Sequence, residues 1–183
     1  MRKSIGFVEV KSIPVGIQTA DEMLKAGNIE IVLATPICPG KYVIIISGQV
    51  GPVKAAMAKA ELVAGMYLIE AYHLDNINEK VLPAISGVTE VEDIKAVGTV
   101  ETISALTSVI AADIAVKAAK VEIVDIRIAR GLGGKGFFMI TGEVSSVKQA
   151  IQATLNRMGE EGVIISTSVI ASPHKDLIPC LMG

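Results

Sequence analysis

The chain has 183 residues, of which 51% are hydrophobic and only 3% aromatic, with no Trp. This hydrophobic content suffices for one large or two small cores built of Val, Ile, Leu, Ala and Met. The surplus of small aliphatic residues predicts that apolar surface is also buried between subunits. The formal net charge of -2, with 17 Lys and Arg against 19 Asp and Glu and no basic run, argues against nucleic acid as a partner.

Membrane insertion and secretion are not predicted, although the mean hydropathy is +0.55. The longest purely apolar runs, such as "YVIII" at 42–46, are far shorter than the roughly 20 residues of a membrane-spanning helix. The opening "MRKSIGFVEV" reaches Glu9 too early to hold the apolar core of a signal peptide. We therefore expect a cytosolic protein with no membrane partner, in which two cysteines do not form a disulfide framework.

The first part of the chain predicts a strand, a helix and two further strands. The segment "GFVEV" alternates as a strand does, and Ser12 and Pro14 suit the N-cap and first position of a helix that ends at Gly27. The segments "IEIVLAT" and "YVIIIS" predict two strands, and the loop "ATPICPGKY" that joins them contains Cys38.

Another helix and a fourth strand complete the first half. Pro52 predicts the start of the helix, and "IEAYHL" at 69–74 predicts the strand. The segment "SGVTEVED" at 86–93 is interpreted as a linker. The order β-α-β-β-α-β is that of a ferredoxin-like α+β domain, with its helices on one face of an antiparallel sheet.

The same unit then occurs a second time. The segment "IGFVEVKSI" recurs loosely as "VGTVETISA", and "KYVIIISGQVGPVKAA" recurs as "KGFFMITGEVSSVKQA" after a longer loop. Ser145 is predicted to cap the second helix of the second copy, and the "LP" at 82–83 corresponds to the "IP" at 178–179. We therefore predict two tandem domains of about 90 residues, at 1–88 and 94–183.

The segments "GFVEVKSIPVGIQTADEMLKAGNIEIV" and "SGQVGPVKAAMAKAE", together with the duplication, resemble the bacterial microcompartment (BMC) shell domain and its tandem-domain trimeric class. The resemblance covers essentially the whole chain, and the order of elements resembles the unpermuted, propanediol-utilisation type. It implies a structural protein and not an enzyme. Three chains would form a flat pseudo-hexagonal tile, and tiles would join with other shell proteins into a shell around enzymes in the cytoplasm.

Two lysines are candidates for the tile edge. Lys25 and Lys117 lie at matching positions of the two copies, and the resemblance implies that each packs against its counterpart in the next tile. A solvated lysine at a helix end, favoured by the helix dipole, explains either one taken alone. Their recurrence at equal spacing favours the edge role.

The resemblance also places a loop of the first copy at a central pore. This pore loop consists of Pro36, Ile37, Cys38, Pro39 and Gly40. A lone cysteine is most often a small buried hydrophobic residue. Here the two prolines remove N–H donors, Gly40 permits a tight turn, and the aligned residue of the second copy is Arg130, so the domain does not need a cysteine there to fold.

A cofactor is implied by the same resemblance. In this fold the pore loop points toward the threefold axis, so a homotrimer brings three Cys38 thiolates together. The matching cysteine of propanediol-utilisation trimers ligates a [4Fe–4S] cluster, which implies one iron–sulfur cluster per trimer and electron transfer across the shell. An encapsulated redox enzyme is then a further partner. The fourth iron would need a ligand from outside the protein.

The loop "ARGLGGKGF" of the second copy contains Gly131, Gly133 and Gly136, formally a G-x-G-x-x-G motif. A dinucleotide motif must open a helix, whereas "FFMITGEV" predicts a strand, and Lys135 is not followed by Ser or Thr as in a P-loop. We interpret the segment as a pore-side or surface loop in which Arg130 and Lys135 meet anionic metabolites.

Two other functions remain open. The shell trimer could pass metabolites through its central opening with Cys38 unligated, or the chain could be a ferredoxin-like small-molecule sensor unrelated to compartments. Cys180 is expected in the core or in an interface. Metal binding is not predicted for His73 or His174, which do not align under the repeat, and no Ser-His-Asp or paired-carboxylate arrangement predicts catalysis.

Overall fold

A computed structural model describes residues 4–89, 91, 93–128 and 131–182 of the chain. The chain divides into two compact units between Ile77 and Asn78. The first unit has the predicted order of elements. They are β1 (Ser4–Val10), α1 (Ile13–Ala26), β2 (Ile29–Ile37), β3 (Lys41–Gly48), α2 (Val50–Ala64), a 3-10 turn (Gly65–Tyr67) and β4 (Leu68–Asp75).

The second unit repeats this order between two short helices. Its elements are α3 (Val81–Ile85), β5 (Ala96–Thr102), α4 (Ala105–Ala118), β6 (Glu122–Ile128), β7 (Gly136–Gly142), α5 (Val144–Met158), a 3-10 turn (Gly159–Glu161), β8 (Ile164–Ile170) and α6 (Ile178–Leu181). Within the described ranges, every helix is too short or too polar to cross a membrane.

Each unit is built on a four-stranded sheet whose neighbouring strands are all antiparallel. The strand order is β2-β3-β1-β4 in the first unit and β6-β7-β5-β8 in the second. Alternate residues of a strand share one face, so Val8 and Val10 of β1 lie with Ile44 and Ile46 of β3 in a core that includes Met23 of α1. The predicted ferredoxin-like α+β fold is confirmed in both units.

The first helix of each unit begins as the sequence indicates. Ser12 is the N-cap of α1, Pro14 lies in its first turn and Gly27 is its C-cap. Ser104 takes the same place in α4, where its hydroxyl oxygen accepts a hydrogen bond from the backbone N–H of Thr107 at 3.2 Å.

The second helix of each unit begins earlier than predicted. α2 starts ahead of Pro52 and α5 ahead of Ser145, with Gln49 and Glu143 at their N-caps. The reason lies in the backbone, because the carbonyl oxygens of Gln49 and Glu143 each accept a first helical hydrogen bond at 3.0 Å. Ser145 is therefore a helical residue and not a cap.

Described residues between the two repeats pack within the second unit, although the sequence predicted a linker at 86–93. α3 is buried and contacts α4 and β6. The hydroxyl of Thr89 donates to the carbonyl oxygen of Val124 at 2.8 Å. The part of the chain at 78–88, which the sequence analysis assigned to the first domain, therefore lies in the second unit.

β1 and β5 each carry a glycine where a helix approaches the sheet. A Cβ on Gly6 would lie 2.6 Å from the Sδ of Met57 in α2, and a Cβ on Gly98 would lie 2.6 Å from Cγ1 of Val147 in α5. Both distances are shorter than real Cβ contacts. The missing side chain at these corresponding positions is therefore what allows α2 and α5 to pack closely on the two sheets.

Gly98→Ala is expected to lower the free energy of unfolding by about 1–3 kcal/mol, because Val147 and Ile151 would have to move to admit the methyl group. Urea unfolding followed by circular dichroism measures the change. Gly51→Ala is the control, since an added Cβ in the first turn of α2 has no atom within 4 Å and alanine favours the helix. Equal midpoints for Gly98→Ala and wild type would contradict this account of the packing.

Candidate functional site

The hairpin between β2 and β3 ends in a turn of Cys38, Pro39 and Gly40, which we call the cysteine turn. Gly40 has a φ of 70°, in the left-handed region that favours glycine. The Cys38–Pro39 peptide bond is cis. Cys38 is exposed and its thiol is free. The structure therefore presents a solvent-accessible thiol at the tip of a tight turn.

The other two residues of the predicted pore loop, Pro36 and Ile37, lie in β2 and not in the turn. Pro36 is opposite Tyr42 and Ile37 is opposite Lys41 in the pairing with β3. β2 is an edge strand, where a residue without an N–H is tolerated. Ile37 is buried, so the strand is anchored up to the residue before Cys38.

A charged cluster of Glu9, Lys41 and Glu70 lies at the same end of the first sheet as the cysteine turn. The ammonium of Lys41, the first residue of β3, donates to the carboxylate of Glu9 at 2.5 Å, and the Glu9 side chain is only 4% exposed. Glu70 of β4 is paired with Glu9 of β1, so the two carboxylates share one face of the sheet. Burial raises the pKa of Glu70, and the charge of Glu9 raises it further against the opposing effect of Lys41.

The second unit has the same ion pair in a different setting. Lys135, which the sequence analysis assigned to anionic metabolites, donates to Glu101 at 3.1 Å. Ser166 stands opposite Glu101 as Glu70 stands opposite Glu9, and its hydroxyl donates to Glu101 at 3.2 Å. Neither cluster was predicted from the sequence. The recurrence of the Glu and Lys at matching positions is the signal that could have found the ion pairs.

The turn between β6 and β7 is built on glycine. Gly131, Gly133 and Gly134 have φ values of 69°, 62° and 92°. β7 follows this turn, so its G-x-G-x-x-G sequence does not open a helix, in agreement with the sequence analysis. Arg130, the residue aligned with Cys38, lies outside the described residues.

The two predicted edge lysines lie in the last turns of α1 and α4. Lys25 pairs with Asp21, whose side chain is 59% exposed. Lys117 donates to Asp113 at 2.6 Å, and the Asp113 side chain is only 5% exposed. Asp113 also accepts the backbone N–H of Asn78 at 2.8 Å. The two lysines therefore have equivalent positions in the repeat but different surroundings.

The remaining candidate ligands are scattered. Cys180 of α6 is exposed, so the structure excludes the core setting and leaves an interface as the expectation. His174 accepts the backbone N–H of Asp176 at 3.2 Å on its Nδ1. In the part of the chain that the structure describes, no three His, Cys, Asp or Glu residues form a group that could hold a metal ion.

Comparison with known families identifies the two units. The model of the BMC domain matches the chain twice, at residues 4–77 and 96–173. The first match ends where the first compact unit ends. The second begins at the first residue of β5 and extends beyond β8.

Two curated relatives show how the repeat is used elsewhere. The bacterial microcompartment shell protein PduT of Citrobacter freundii is 40% identical over 177 residues, which are 97% of this chain and 96% of PduT. The shell protein PduA of the same organism is 33% identical over 89 residues, which are 45% of this chain and 94% of PduA. PduA thus corresponds to one unit and PduT to both.

Solved structures agree with these matches. The crystal structure of a microcompartment protein from Desulfitobacterium hafniense superimposes with a TM-score of 0.94 at 41% identity, covering 97% of this chain and 99% of that one. A fused permuted hexameric shell protein of the RMM microcompartment superimposes with a TM-score of 0.63 at 20% identity, covering 86% of this chain and 84% of that one. The second likeness concerns the fold alone.

The raised pKa of Glu70 predicts a pH-dependent stability. The folded chain binds this proton more tightly than the unfolded chain, for which the ordinary value is 4.5, so stability falls as the pH rises through the folded-state pKa. Glu70→Gln removes this pH-dependent loss of stability, because the amide of glutamine does not ionise. Its thermal midpoint should exceed that of wild type near neutral pH, and the difference should shrink toward pH 4.5 in melts followed by circular dichroism.

Ser166→Glu is the matched variant for this test, because it places a second carboxylate opposite Glu101 as Glu70 is placed opposite Glu9. It should lower the thermal midpoint near neutral pH and much less in acid. A constant difference between wild type and Glu70→Gln at every pH would mean that Glu70 titrates alike in the folded and unfolded chains.

Proposed function

Because the chain belongs to the BMC-domain family of bacterial microcompartment shell proteins, we propose that it forms a homotrimeric shell tile in which Cys38 holds a [4Fe–4S] cluster for electron transfer. The chain is a structural shell protein of a bacterial microcompartment, like PduT, and not an enzyme. The observation that carries the shell role is the tandem BMC domain with a PduT likeness over 97% of the chain. The trimer, the cluster and the tile edge are the parts that we propose.

The position of exposed apolar side chains supports a ring of identical chains. In α1 of the first unit, Ile17 and Leu24 are 56% and 45% exposed. In β8 of the second unit, Ile165, Val169 and Ile170 are also exposed. Two different apolar surfaces on one chain suit heterologous contacts, in which identical copies meet head to tail around a ring. Three chains of two domains then complete a pseudo-hexagonal ring.

The exposed, free thiol of Cys38 at the tip of the cysteine turn supports the cluster. One chain offers a single thiolate there, and a threefold axis through the ring multiplies that ligand without further sequence. Cys38 is exposed, so its side chain is available to a ligand rather than packed in the interior of its own chain. The fourth iron would take a non-protein ligand.

A [4Fe–4S] cluster bound in this way would supply one-electron transfer between the two faces of the shell. The contribution of the chain itself is to hold the thiol in place. The pairing of Ile37 with Lys41 closes the hairpin next to the cysteine turn, and the buried Glu9 holds Lys41 at the start of β3. An encapsulated redox enzyme is the electron partner that this arrangement would serve.

The tile edge is proposed at Lys25 and Lys117. Both ammonium groups are at least partly exposed, at 62% and 38% of their side chains. A flexible ammonium with several donor hydrogens can bridge to acceptor oxygens of an adjacent tile. Their equivalent positions in the two units would place one on every edge of a pseudo-hexagonal ring.

Wild type is expected to be a trimer by light scattering at micromolar concentration and to form sheets visible by electron microscopy. Lys25→Ala combined with Lys117→Ala should keep the trimer but form fewer sheets. Because Lys117→Ala also leaves the buried Asp113 with one donor fewer, thermal unfolding must accompany the assay. Lys59→Ala, on α2, is the control for loss of a surface charge. Normal sheets from the double variant would exclude the edge role, and a monomeric wild type would exclude the tile.

Anaerobically reconstituted wild type is expected to contain about four irons per three chains, the composition of a [4Fe–4S] centre. Cys38→Ser should lose nearly all of the iron and acid-labile sulfide. Cys180→Ser is the matched control and should keep both, because it removes the other exposed free cysteine. Both variants should remain trimers, since the interface is apolar surface and not the metal.

The iron assay also decides between the cluster and the metabolite pore. Stoichiometric iron in Cys38→Ser would exclude Cys38 as the ligand. Wild type that binds no iron under anaerobic reconstitution would exclude the electron-transfer role. A shell trimer that passes metabolites through its centre would then be the remaining function.

A further inference from the structure

Each repeat is followed by a short segment of the same design. The segment "NEKVLPAIS" at 78–86, which we call the connector, matches "HKDLIPCLM" at 174–182, which we call the tail. Each contains a short helix, α3 in the connector and α6 in the tail, with a proline at the corresponding position. The chain therefore carries two versions of one docking segment.

The connector packs on α4 and β6 within the second unit. Val81 is 0% exposed, and α3 contacts α4 and β6. The backbone N–H of Asn78 donates to Asp113 of α4 at 2.8 Å. The ammonium of Lys80 donates to Glu122 of β6 at 2.7 Å. The same ammonium donates to the carbonyl oxygen of Val121 at 3.0 Å, so apolar burial and three polar contacts define the docking site on α4 and β6.

The tail has apolar residues at the corresponding positions but is largely exposed. Leu177, which corresponds to Val81, is 38% exposed, and Cys180, which corresponds to a fully buried alanine of the connector, is exposed. Ile178 and Leu181 pack partly against the core cluster of the second unit. The tail follows β8 of the second repeat, as the connector follows β4 of the first.

The surface that would receive the tail is open on the first unit. Ile17 of α1 is 56% exposed, whereas its counterpart Val109 of α4 is 2% exposed. Leu24 is 45% exposed, whereas its counterpart Val116 is 9% exposed. The residue that corresponds to Asp113 is Asp21, and its carboxylate is likewise much more exposed. α1 therefore has the composition of a docking helix without the segment that would cover it.

We propose that the tail of one copy docks on α1 and β2 of the next copy, as the connector docks on α4 and β6, with the backbone N–H of His174 donating to Asp21. This inference rests on the proposed ring, for which it supplies the contact between chains. The ion pair of Lys80 is not reproduced, because the tail has Asp176 at that place and β2 offers Glu30. Cys180 becomes buried at the interface, and Lys25 acquires the surroundings of Lys117.

Disulfide trapping tests this contact in a background of Cys38→Ser and Cys180→Ser. A chain with Asp21→Cys and His174→Cys should give covalent trimers on mild oxidation, and a mixture of the two single variants should give covalent dimers. Asn78→Cys with Asp113→Cys is the benchmark, because those positions already touch within one chain, and should run as a cross-linked monomer. The negative control combines Glu61→Cys with His174→Cys. Glu61 is exposed on α2, outside the proposed contact, so this variant should form no link between chains.

A second test introduces a charge into the tail and measures the trimer dissociation constant, so it does not depend on disulfide geometry. Leu177→Asp should raise the trimer dissociation constant at least tenfold without changing the circular dichroism spectrum, because Leu177 is already partly exposed in the single chain. Val88→Asp is the matched control, since Val88 is 65% exposed and lies outside the tail. Its trimer should be as stable as that of wild type.

The outcomes separate this inference from the proposed function. A trimer in which the thiols introduced at positions 21 and 174 form no link while the benchmark links, or one that tolerates Leu177→Asp, would overturn the docking of the tail and leave the ring. A link that forms only within one chain would also overturn it. A chain that is monomeric before oxidation would overturn the ring itself.

Discussion

The buried carboxylate of Asp113 is the contact on which the packing of the connector against α4 depends. Asp113 accepts one hydrogen bond from the backbone N–H of Asn78, in the connector, and another from the ammonium of Lys117 at the end of α4. A carboxylate excluded from water is stable only with such donors, and loss of either one leaves a charge that the interior solvates poorly. The connector, α4 and Lys117 are therefore held in a single arrangement. Among the residues that the structure describes, the corresponding carboxylate, Asp21, has the ammonium of Lys25 as a donor but no backbone N–H like that of Asn78.

Most of the fold could be predicted because its causes are local in the sequence. The alternation of β1, the cap at Ser12 and the left-handed glycine at Gly40 each depend on neighbouring residues alone. The starts of α2 and α5 were predicted too late for a physical reason. Their first helical hydrogen bonds go to the backbone carbonyls of Gln49 and Glu143. Because every residue has a backbone carbonyl, the residue type does not indicate where such a bond forms.

The candidate site was predicted less completely because part of it depends on distant contacts. The position of Cys38 follows from the proline and glycine beside it, but its neighbour Ile37 joins β2 through pairing with another strand. The carboxylates of Glu9 and Glu70 meet only through the register of β1 with β4. The segment at 86–93 is polar enough to resemble a free linker, and the hydrogen bond of its Thr89 to Val124 depends on a residue 35 positions away in the sequence.

The two hairpin turns at equivalent positions have diverged, one to a cysteine and proline and the other to a run of glycines. In a ring of identical single-domain chains, a mutation in this turn would appear at every position around the axis at the same time. Fusion of two domains into one chain removes that coupling, because alternate positions are then encoded separately. Gene duplication can thus relax the constraint that symmetry places on evolution, and one half of the ring can acquire new chemistry while the other half preserves the shape of the opening.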